Sequence, residues 1–148
     1  MISCTEFIPA YSQVFKYIHE KEGYQGVVKF WEYISDEYVE PRLGALVKKK
    51  GIAGCYEYWL KSLNEENADF IMTLDEGKGE FEIVMKKCPS KGMLLELDPS
   101  ISYAHYCDHC DLLYRRVVEK YGLNYYFESD RENKACCRLK VTTGKANE

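Results

Sequence analysis

The sequence predicts a single α+β domain in which a helical amino-terminal half is followed by a β-β-α-β-β core with an antiparallel sheet. Apolar residues recur at steps of three and four positions up to about residue 66, which is typical of helices. From about residue 67 to 142 they alternate with polar residues in short runs, which is typical of strands. A length of 148 residues is enough for one domain with its own core, and the polar tail 143–148 is expected to fray.

The first two helices are predicted between residues 7 and 34. Apolar side chains in the segment 7–18 share one face, and Gly23 is expected to end the first helix, because glycine favours a helix terminus. A second helix then covers about residues 25–34. Both helices are expected to pack their aromatic stripes into the core.

Two further helices complete the amino-terminal half. Pro41 suits a first helical position, so the third helix is expected to begin there and to reach Lys49, just before Gly51. The basic run 48–50 then complements the negative end of that helix. The apolar face of the fourth helix is expected to contain Tyr56, Trp59, Leu60 and Leu63.

Two β-hairpins are predicted in the second half. Apolar residues alternate in the segments 70–74 and 81–85, on either side of a turn at 75–79. The segments 123–127 and 135–141 alternate in the same way and form the second pair. Each pair is expected to turn one apolar face toward the core.

A connection and a helix are predicted between the two hairpins. The segment 91–103 contains glycine and proline and reads as a connection with a short helical turn at 93–97. A helix follows over about residues 109–121 and is expected to end at Gly122.

Charge and composition exclude several classes of function. The formal net charge of -4 argues against a surface for nucleic acid or anionic membrane, which needs a basic face. The first residues lack the basic and apolar regions of a signal peptide, and no run approaches the roughly 20 apolar residues of a membrane span. We therefore expect a cytoplasmic protein whose cysteines are reduced.

Potential metal ligands and nucleophiles are concentrated in the last third of the chain. Two of the three histidines and two of the seven cysteines lie within residues 105–111, preceded by Cys88-Pro89 and followed by Cys136-Cys137. An odd number of cysteines excludes complete disulfide pairing within the chain. Three interpretations follow: a metal site, a thiolate nucleophile, or cysteines that only stabilise the fold.

Cys110 is the strongest single candidate for nucleophile or ligand. Asp108 is expected to be the N-cap of the following helix, which places Cys110 in the first turn and on the same face as Leu113 and Val117. The positive end of a helix lowers the pKa of a thiol and favours the thiolate. Asp108 and Asp111 oppose this effect through their like charge.

The strand periodicity separates the other cysteines. Leu139 alternates with charged residues, so Cys137 is predicted to face the interior and Cys136 the solvent. Strict alternation turns Cys88 away from the apolar face of its strand, and a bulge before Pro89 would re-aim it. We interpret Cys107 and Cys136 as neighbours of the site.

The C-x-x-C spacing of Cys107 and Cys110 carries little information on its own. A thioredoxin-type motif requires a βαβ unit, and a zinc ribbon requires a second close pair at suitable spacing, so both are disfavoured. A zinc site formed by Cys88, Cys110 and Cys137, with a histidine or water as fourth ligand, is chemically reasonable. The alternative is that these three cysteines pack as small hydrophobic side chains.

The ordered set of residues in the carboxy-terminal half resembles the L-2-amino-thiazoline-4-carboxylic acid hydrolase family. The residues that carry this resemblance are Cys88-Pro89, His109-Cys110-Asp111, Tyr114, Glu119, Gly122-Leu123 and Cys137. The resemblance implies hydrolytic opening of a small, cyclic, amidine-like thiazoline acid within bacterial cysteine metabolism.

The core pattern with three ordered cysteines also resembles four-vinyl-reductase domains. That resemblance implies binding of a small molecule, in some members beside a zinc ion held by cysteines, and Cys88, Cys110 and Cys137 are the matching positions. His105 and His109 both remain candidates for the fourth ligand. An iron–sulfur cluster is the less favoured alternative to zinc.

Two hypotheses from different classes follow. The first is a hydrolase whose site includes Cys110, His109 and Asp111, with a histidine as general base and either a Cys110 thiolate or a metal-activated water as nucleophile. The metal set is then Cys88, Cys110, Cys137 and His105. The second is a non-catalytic module that binds a small molecule, zinc or an iron–sulfur cluster. A homodimer formed through the aromatic-rich helices is a further expectation.

Overall fold

Helices form the amino-terminal half of the chain, and a sheet with further helices forms the rest, which confirms the predicted α+β class. The computed structural model describes residues 4–65, 68–130 and 134–144. The amino-terminal elements are α1 (Cys4–Ile34), a π-helix (Ser35–Gly44), α2 (Ala45–Lys50) and α3 (Ile52–Glu65). The remaining elements are β1 (Asp69–Asp75), β2 (Glu80–Lys87), α4 (Pro89–Leu97), a 3-10 helix (Pro99–Ile101), α5 (Asp108–Lys120), β3 (Asn124–Ser129) and β4 (Cys137–Thr142).

The four strands form one antiparallel sheet in the order β1-β2-β4-β3, which confirms both predicted hairpins. The central strands β2 and β4 pair with Ile83 opposite Leu139, and Phe127 of β3 lies opposite the same leucine. Alternate residues of the central strands are buried, as the period of two requires. The buried face of the sheet is covered by α3, which contacts β1 and β2, and by α5, which contacts β3.

The core joins the helices to one another and to the sheet. Trp31 of α1 is fully buried and meets Phe15 edge to face, with ring centroids 5.3 Å apart. The π-helix packs on α5, and the buried Ser35 hydroxyl donates a hydrogen bond to the carbonyl of Leu113 at 2.8 Å. A buried hydroxyl needs such a partner, so this bond specifies how the two helices meet.

A second buried hydroxyl ties α1 to the segment that leads into α5. Ser12 Oγ donates to the carbonyl of Ile101 at 2.8 Å and accepts the backbone N–H of Tyr103, also at 2.8 Å. Ser12 is fully buried, so both bonds form away from solvent. One side chain of the helical half thus satisfies two backbone groups of the segment that carries the clustered histidines and cysteines.

Some sequence predictions hold at the level of single residues, whereas others do not. Gly23 interrupts α1 with φ 73° and ψ -174°, which confirms the predicted break. Pro41 does not begin a helix, because the chain is already helical before it and Pro41 lies inside the π-helix. Burial of Val39 and Leu43 against the core keeps that segment helical.

The structure corrects three further details. Leu60, which was predicted to lie in the apolar face of α3, is 38% exposed. Cys55, which was not predicted there, is fully buried in α3. The predicted turn at 93–97 is part of a complete helix, α4, that begins at Pro89. The tail is ordered at its start, since Thr143 donates its N–H to the carbonyl of Gly79 at 3.0 Å. Residues 145–148 lie outside the described part of the chain.

Within the described residues, no helix has both the length and the apolar character needed to cross a bilayer.

Replacement of Gly54 by alanine is expected to destabilise the protein. A Cβ atom at Gly54 would lie 2.4 Å from the carbonyl oxygen of Leu46, so α2 and α3 would have to separate. Overpacking of this kind costs about 1–3 kcal/mol in the free energy of unfolding. Urea denaturation followed by circular dichroism measures the change. Gly77→Ala is the control, because its Cβ would lie 3.4 Å from its nearest neighbour, Asp75 Oδ1. Equal stability of the two variants would contradict the close approach.

Candidate functional site

Five of the cysteines lie around one small recess where the starts of α4 and α5 meet the start of β4. The recess has a volume of about 30 Å³. The cysteines that line it are Cys88, Cys107, Cys110, Cys136 and Cys137, together with Lys91, Tyr106 and His109 among others. Cys137 is half-buried and Cys136 is exposed, as the strand periodicity predicts. Cys107, interpreted from the sequence as a neighbour, is part of the lining.

Cys110 lies in the first turn of α5, as predicted, and Cys88 lies at the amino terminus of a second helix, α4. Cys88 is the N-cap of α4, with an extended backbone, and its N–H donates to the carbonyl of Ala135 at 2.7 Å. Its sulfur accepts the backbone N–H of Lys91 at 3.4 Å. The first turn of α4 therefore supplies an amide donor to the Cys88 sulfur.

The start of α5 differs from the prediction. Asp108 is the first helical residue and Cys107 is the N-cap, without a side-chain capping bond. The expected Asp108 cap is wrong because a turn at 104–107 leads directly into the helix. The backbone amides of residues 108–110 donate to the carbonyls of residues 105–107 at 3.0–3.4 Å. Cys110 therefore does not face unsatisfied amides at the positive end of α5.

His109 is buried in an aromatic cage formed by three rings of α1 and one ring of the turn before α5. Its ring contacts those of Tyr11, Phe15, Trp31 and Tyr106, with centroid separations of 4.8–6.5 Å. Nδ1 lies against the carbonyl oxygen of Tyr106. Because a carbonyl only accepts, Nδ1 carries the proton of the neutral ring, and Nε2 presents a lone pair.

The lone pair of His109 faces a thiol. Cys110 Sγ lies 3.4 Å from His109 Nε2, so the thiol is placed to donate its proton to the imidazole. Burial lowers the pKa of His109 to about 4, because desolvation of the charged ring outweighs the opposing effects of the Tyr106 carbonyl and Asp108. His109 is therefore neutral at neutral pH.

Burial also keeps other thiols of the recess protonated. Desolvation raises the pKa of Cys107 to about 11, although the Lys91 ammonium acts in the opposite direction. Desolvation raises the pKa of Cys137 to about 12, and the neighbouring Cys88 adds to the increase. Both groups are therefore neutral thiols at physiological pH.

An apolar cavity of about 180 Å³ adjoins the recess between α3, α5 and the sheet. Residues shared by the two spaces include Cys88, His109, Cys110 and Cys137. The side chains that line only the larger space include Trp59, Leu63, Ile83, Met85, Tyr114 and Leu139. The pair formed by Cys110 and His109 thus forms part of the wall of a mainly apolar space.

A polar cavity of about 400 Å³ lies on the other side of Cys107. Its lining consists of Tyr24, Lys91, Ala104, His105, Cys107, Asp108, Ser129 and Asp130. His105 Nδ1 lies 3.2 Å from Asp108 Oδ2, and the hydroxyl of Tyr24 donates to the same oxygen at 3.2 Å. His105 therefore belongs to the polar cavity and does not line the recess with the cysteines.

Asp111 also lies apart from the recess. Its Oδ1 pairs with Arg115, with Nη2 at 2.7 Å and Nε at 2.8 Å. Arg115 in turn donates to the carbonyl of Tyr125 at 2.7 Å. Asp111 thus holds α5 against β3 through an arginine, and the structure does not bring it to Cys110 as a catalytic partner.

The expected metal ligands are divided between two spaces. Cys88, Cys110 and Cys137 line the recess, whereas His105 lies in the polar cavity. Among the residues that the structure describes, no group of three or more histidine, cysteine, aspartate or glutamate side chains is arranged to hold a metal ion. The side chains as placed do not fit the predicted zinc site.

Lys91 lines both the recess and the polar cavity but was not predicted as a site residue. Its segment was predicted to be a connection between the two hairpins. Proline is common at the first position of a helix, so Cys88-Pro89 could have indicated a helix start there. That start would have placed Lys91 in the first turn, three positions after Cys88.

The fold and the site define an α+β protein with a thiol–imidazole pair in the wall of a mainly apolar cavity. No protein family, curated protein or solved structure is matched by this chain. The resemblances noted in the sequence therefore stay predictions.

The buried histidine is expected to make stability fall in mild acid. An unfolded histidine has a pKa near 6.5, so its lowered pKa in the folded protein contributes stability above that pH. This contribution is lost as pH falls toward about 4, with a slope of up to about 1.4 kcal/mol per pH unit. His109→Gln removes the titrating group. Urea denaturation from pH 7 to 4 should show a steeper loss in the wild type, and equal slopes would contradict a neutral, buried His109.

Thiol reactivity is expected to follow burial. Cys136 is exposed, whereas Cys55 is fully buried and its pKa is raised to about 12 by desolvation. Iodoacetamide at pH 8 should therefore modify Cys136 at least roughly tenfold faster than Cys55. Mass spectrometry of the digested protein measures both rates. Modification of Cys55 at the rate of Cys136 in the folded protein would contradict the burial.

Proposed function

We propose that the protein is a thiol hydrolase that opens a small, cyclic, amidine-like acid of the L-2-amino-thiazoline-4-carboxylate type. In this proposal Cys110 is the nucleophile and His109 is its base. The single observation that carries the proposal is the 3.4 Å separation of Cys110 Sγ and His109 Nε2 beside an apolar cavity. A thiol and a base within hydrogen-bond reach are the minimum requirement for cysteine nucleophilic catalysis.

The Tyr106 carbonyl supports the role of His109. The carbonyl accepts a hydrogen bond from the Nδ1–H group. This bond holds the neutral ring in the tautomer whose Nε2 can take a proton from Cys110. A lowered pKa makes His109 a weak base but makes its protonated form a strong acid. Protonated His109 therefore passes its proton rapidly to the substrate, and the thiolate and imidazolium are transient.

The reaction is balanced by one water molecule. The Cys110 sulfur adds to the amidine carbon, which forms one C–S bond, and the thiol proton passes through His109 to the amidine nitrogen. The bond between that carbon and the ring sulfur then breaks, and the ring sulfur leaves as a thiol with a proton from the adduct. Water finally displaces Cys110 from the same carbon and restores the thiol.

Loss of the nucleophile tests the proposal directly. Cys110→Ala should abolish opening of L-2-amino-thiazoline-4-carboxylate, and His109→Gln should lower kcat/KM by roughly 100-fold or more. Chromatographic measurement of substrate loss gives both rates. Cys55→Ala removes a thiol outside the recess and should keep wild-type activity. Retained activity in Cys110→Ala, or no turnover by the wild type, would contradict the proposal.

A second candidate is a module that binds a small molecule without turnover. The observation that favours it is the burial of Cys107 and Cys137, which raises the pKa of both thiols and gives the recess an apolar lining. Wild-type protein that binds the thiazoline acid but never opens it would support this alternative. Metal analysis of protein purified without chelator tests the predicted zinc, and a brown colour would indicate an iron–sulfur cluster.

We also propose that the protein acts in the cytoplasm. Support comes from the six cysteines whose side chains are described, none of which is joined in a disulfide bond. Reduced thiols are the usual state in that compartment. The homodimer stays a prediction, and light scattering of the purified protein tests it.

A further inference from the structure

Lys91 carries a buried positive charge. The residue is 8% exposed, and its Nζ donates to the hydroxyl of Ser102 at 2.7 Å. Among the ion pairs formed by the described residues, none includes Lys91. An ammonium has three donors, and a buried charge is costly without an anionic partner. The ammonium of Lys91 is therefore placed to bind an anion that the described residues do not supply.

The neighbouring thiol does not supply the missing charge. Lys91 and Cys107 line the same spaces, but burial raises the pKa of Cys107 to about 11 and keeps it neutral. A lysine with a purely structural role generally extends its ammonium into water or pairs with a carboxylate. Lys87 illustrates this behaviour, since it is 61% exposed and pairs with Glu96 at 2.5 Å.

The polar cavity next to Lys91 has the size and charge pattern of a small-molecule site. Its volume of about 400 Å³ is within the usual range of ligand pockets. Asp108 and Asp130 contribute carboxylates to the same lining that contains the Lys91 ammonium. Asp108 uses one oxygen, Oδ2, for Tyr24 and His105. Charges of both signs therefore line one cavity.

We infer that Lys91 binds the carboxylate of a small molecule where the polar cavity meets the recess, since Lys91 lines both spaces. A carboxylate is the partner that completes the hydrogen bonding of a buried ammonium, and charge-assisted bonds of this type are strong. This inference deepens the proposed function, on which it rests for the choice of ligand. It assigns the binding residue for the acid group, which the reaction at Cys110 does not identify.

Calorimetry with two ligands tests the inference. The probes are L-2-amino-thiazoline-4-carboxylate and 2-amino-thiazoline, which lacks the carboxylate, and both are titrated into Cys110→Ala protein to prevent turnover. Adding Lys91→Met should weaken binding of the acid at least about tenfold and leave binding of the analogue without the carboxylate unchanged. Adding Lys87→Met instead is the matched control and should change neither affinity.

The outcomes separate this inference from the proposed function. If the acid binds the Cys110→Ala protein equally well with and without the added Lys91→Met substitution, the inference is overturned, even if the wild type hydrolyses the acid. Tenfold weaker binding of the acid alone supports it, even if the wild type shows no turnover. If Lys91→Met does not fold, the two ligands are compared on Cys110→Ala protein. The acid must then bind at least about tenfold more tightly than the analogue; equal affinities, or no binding of the acid, overturn the inference.

Discussion

The enclosure of His109 by aromatic rings is the interaction on which the rest of the site depends. Three of those rings come from α1 and one from the turn before α5, so the cage joins the two halves of the chain around one imidazole. The Tyr106 carbonyl then selects the tautomer. As a result, the orientation of the lone pair toward Cys110 is a property of the core and not of a flexible loop.

The same burial divides the site into environments with different chemistry. Around His109, Cys107 and Cys137, desolvation keeps ionisable groups neutral, which suits proton transfer within an apolar space. On the other side of Cys107, the polar cavity is lined by the side chains of Lys91 and Asp108, which are of opposite charge. In the proposed reaction, the ligand bridges these environments: charge holds one end and the other end reacts, so that binding energy positions the reacting atom.

How much could be predicted from the sequence depended on the range of the interactions. The inward Cys137 and the break at Gly23 follow from local periodicity and backbone preference, and both are confirmed. The Asp108 cap failed because a preceding turn had already satisfied the amides. The lowered pKa of His109 could not be predicted from the sequence, because the α1 side chains that bury the ring are distant along the chain. Distant partners leave no periodic signal.

The two hydrogen bonds of Ser12 have a consequence for the order in which the molecule folds. They span 89 and 91 residues of chain, so they close a loop that includes α3 and the first hairpin. Contacts of such long separation form late, after the local strand pairs and helices. The two local hairpins can therefore form before α1 docks on the segment that leads into α5, and the aromatic enclosure of His109 is completed only after that docking.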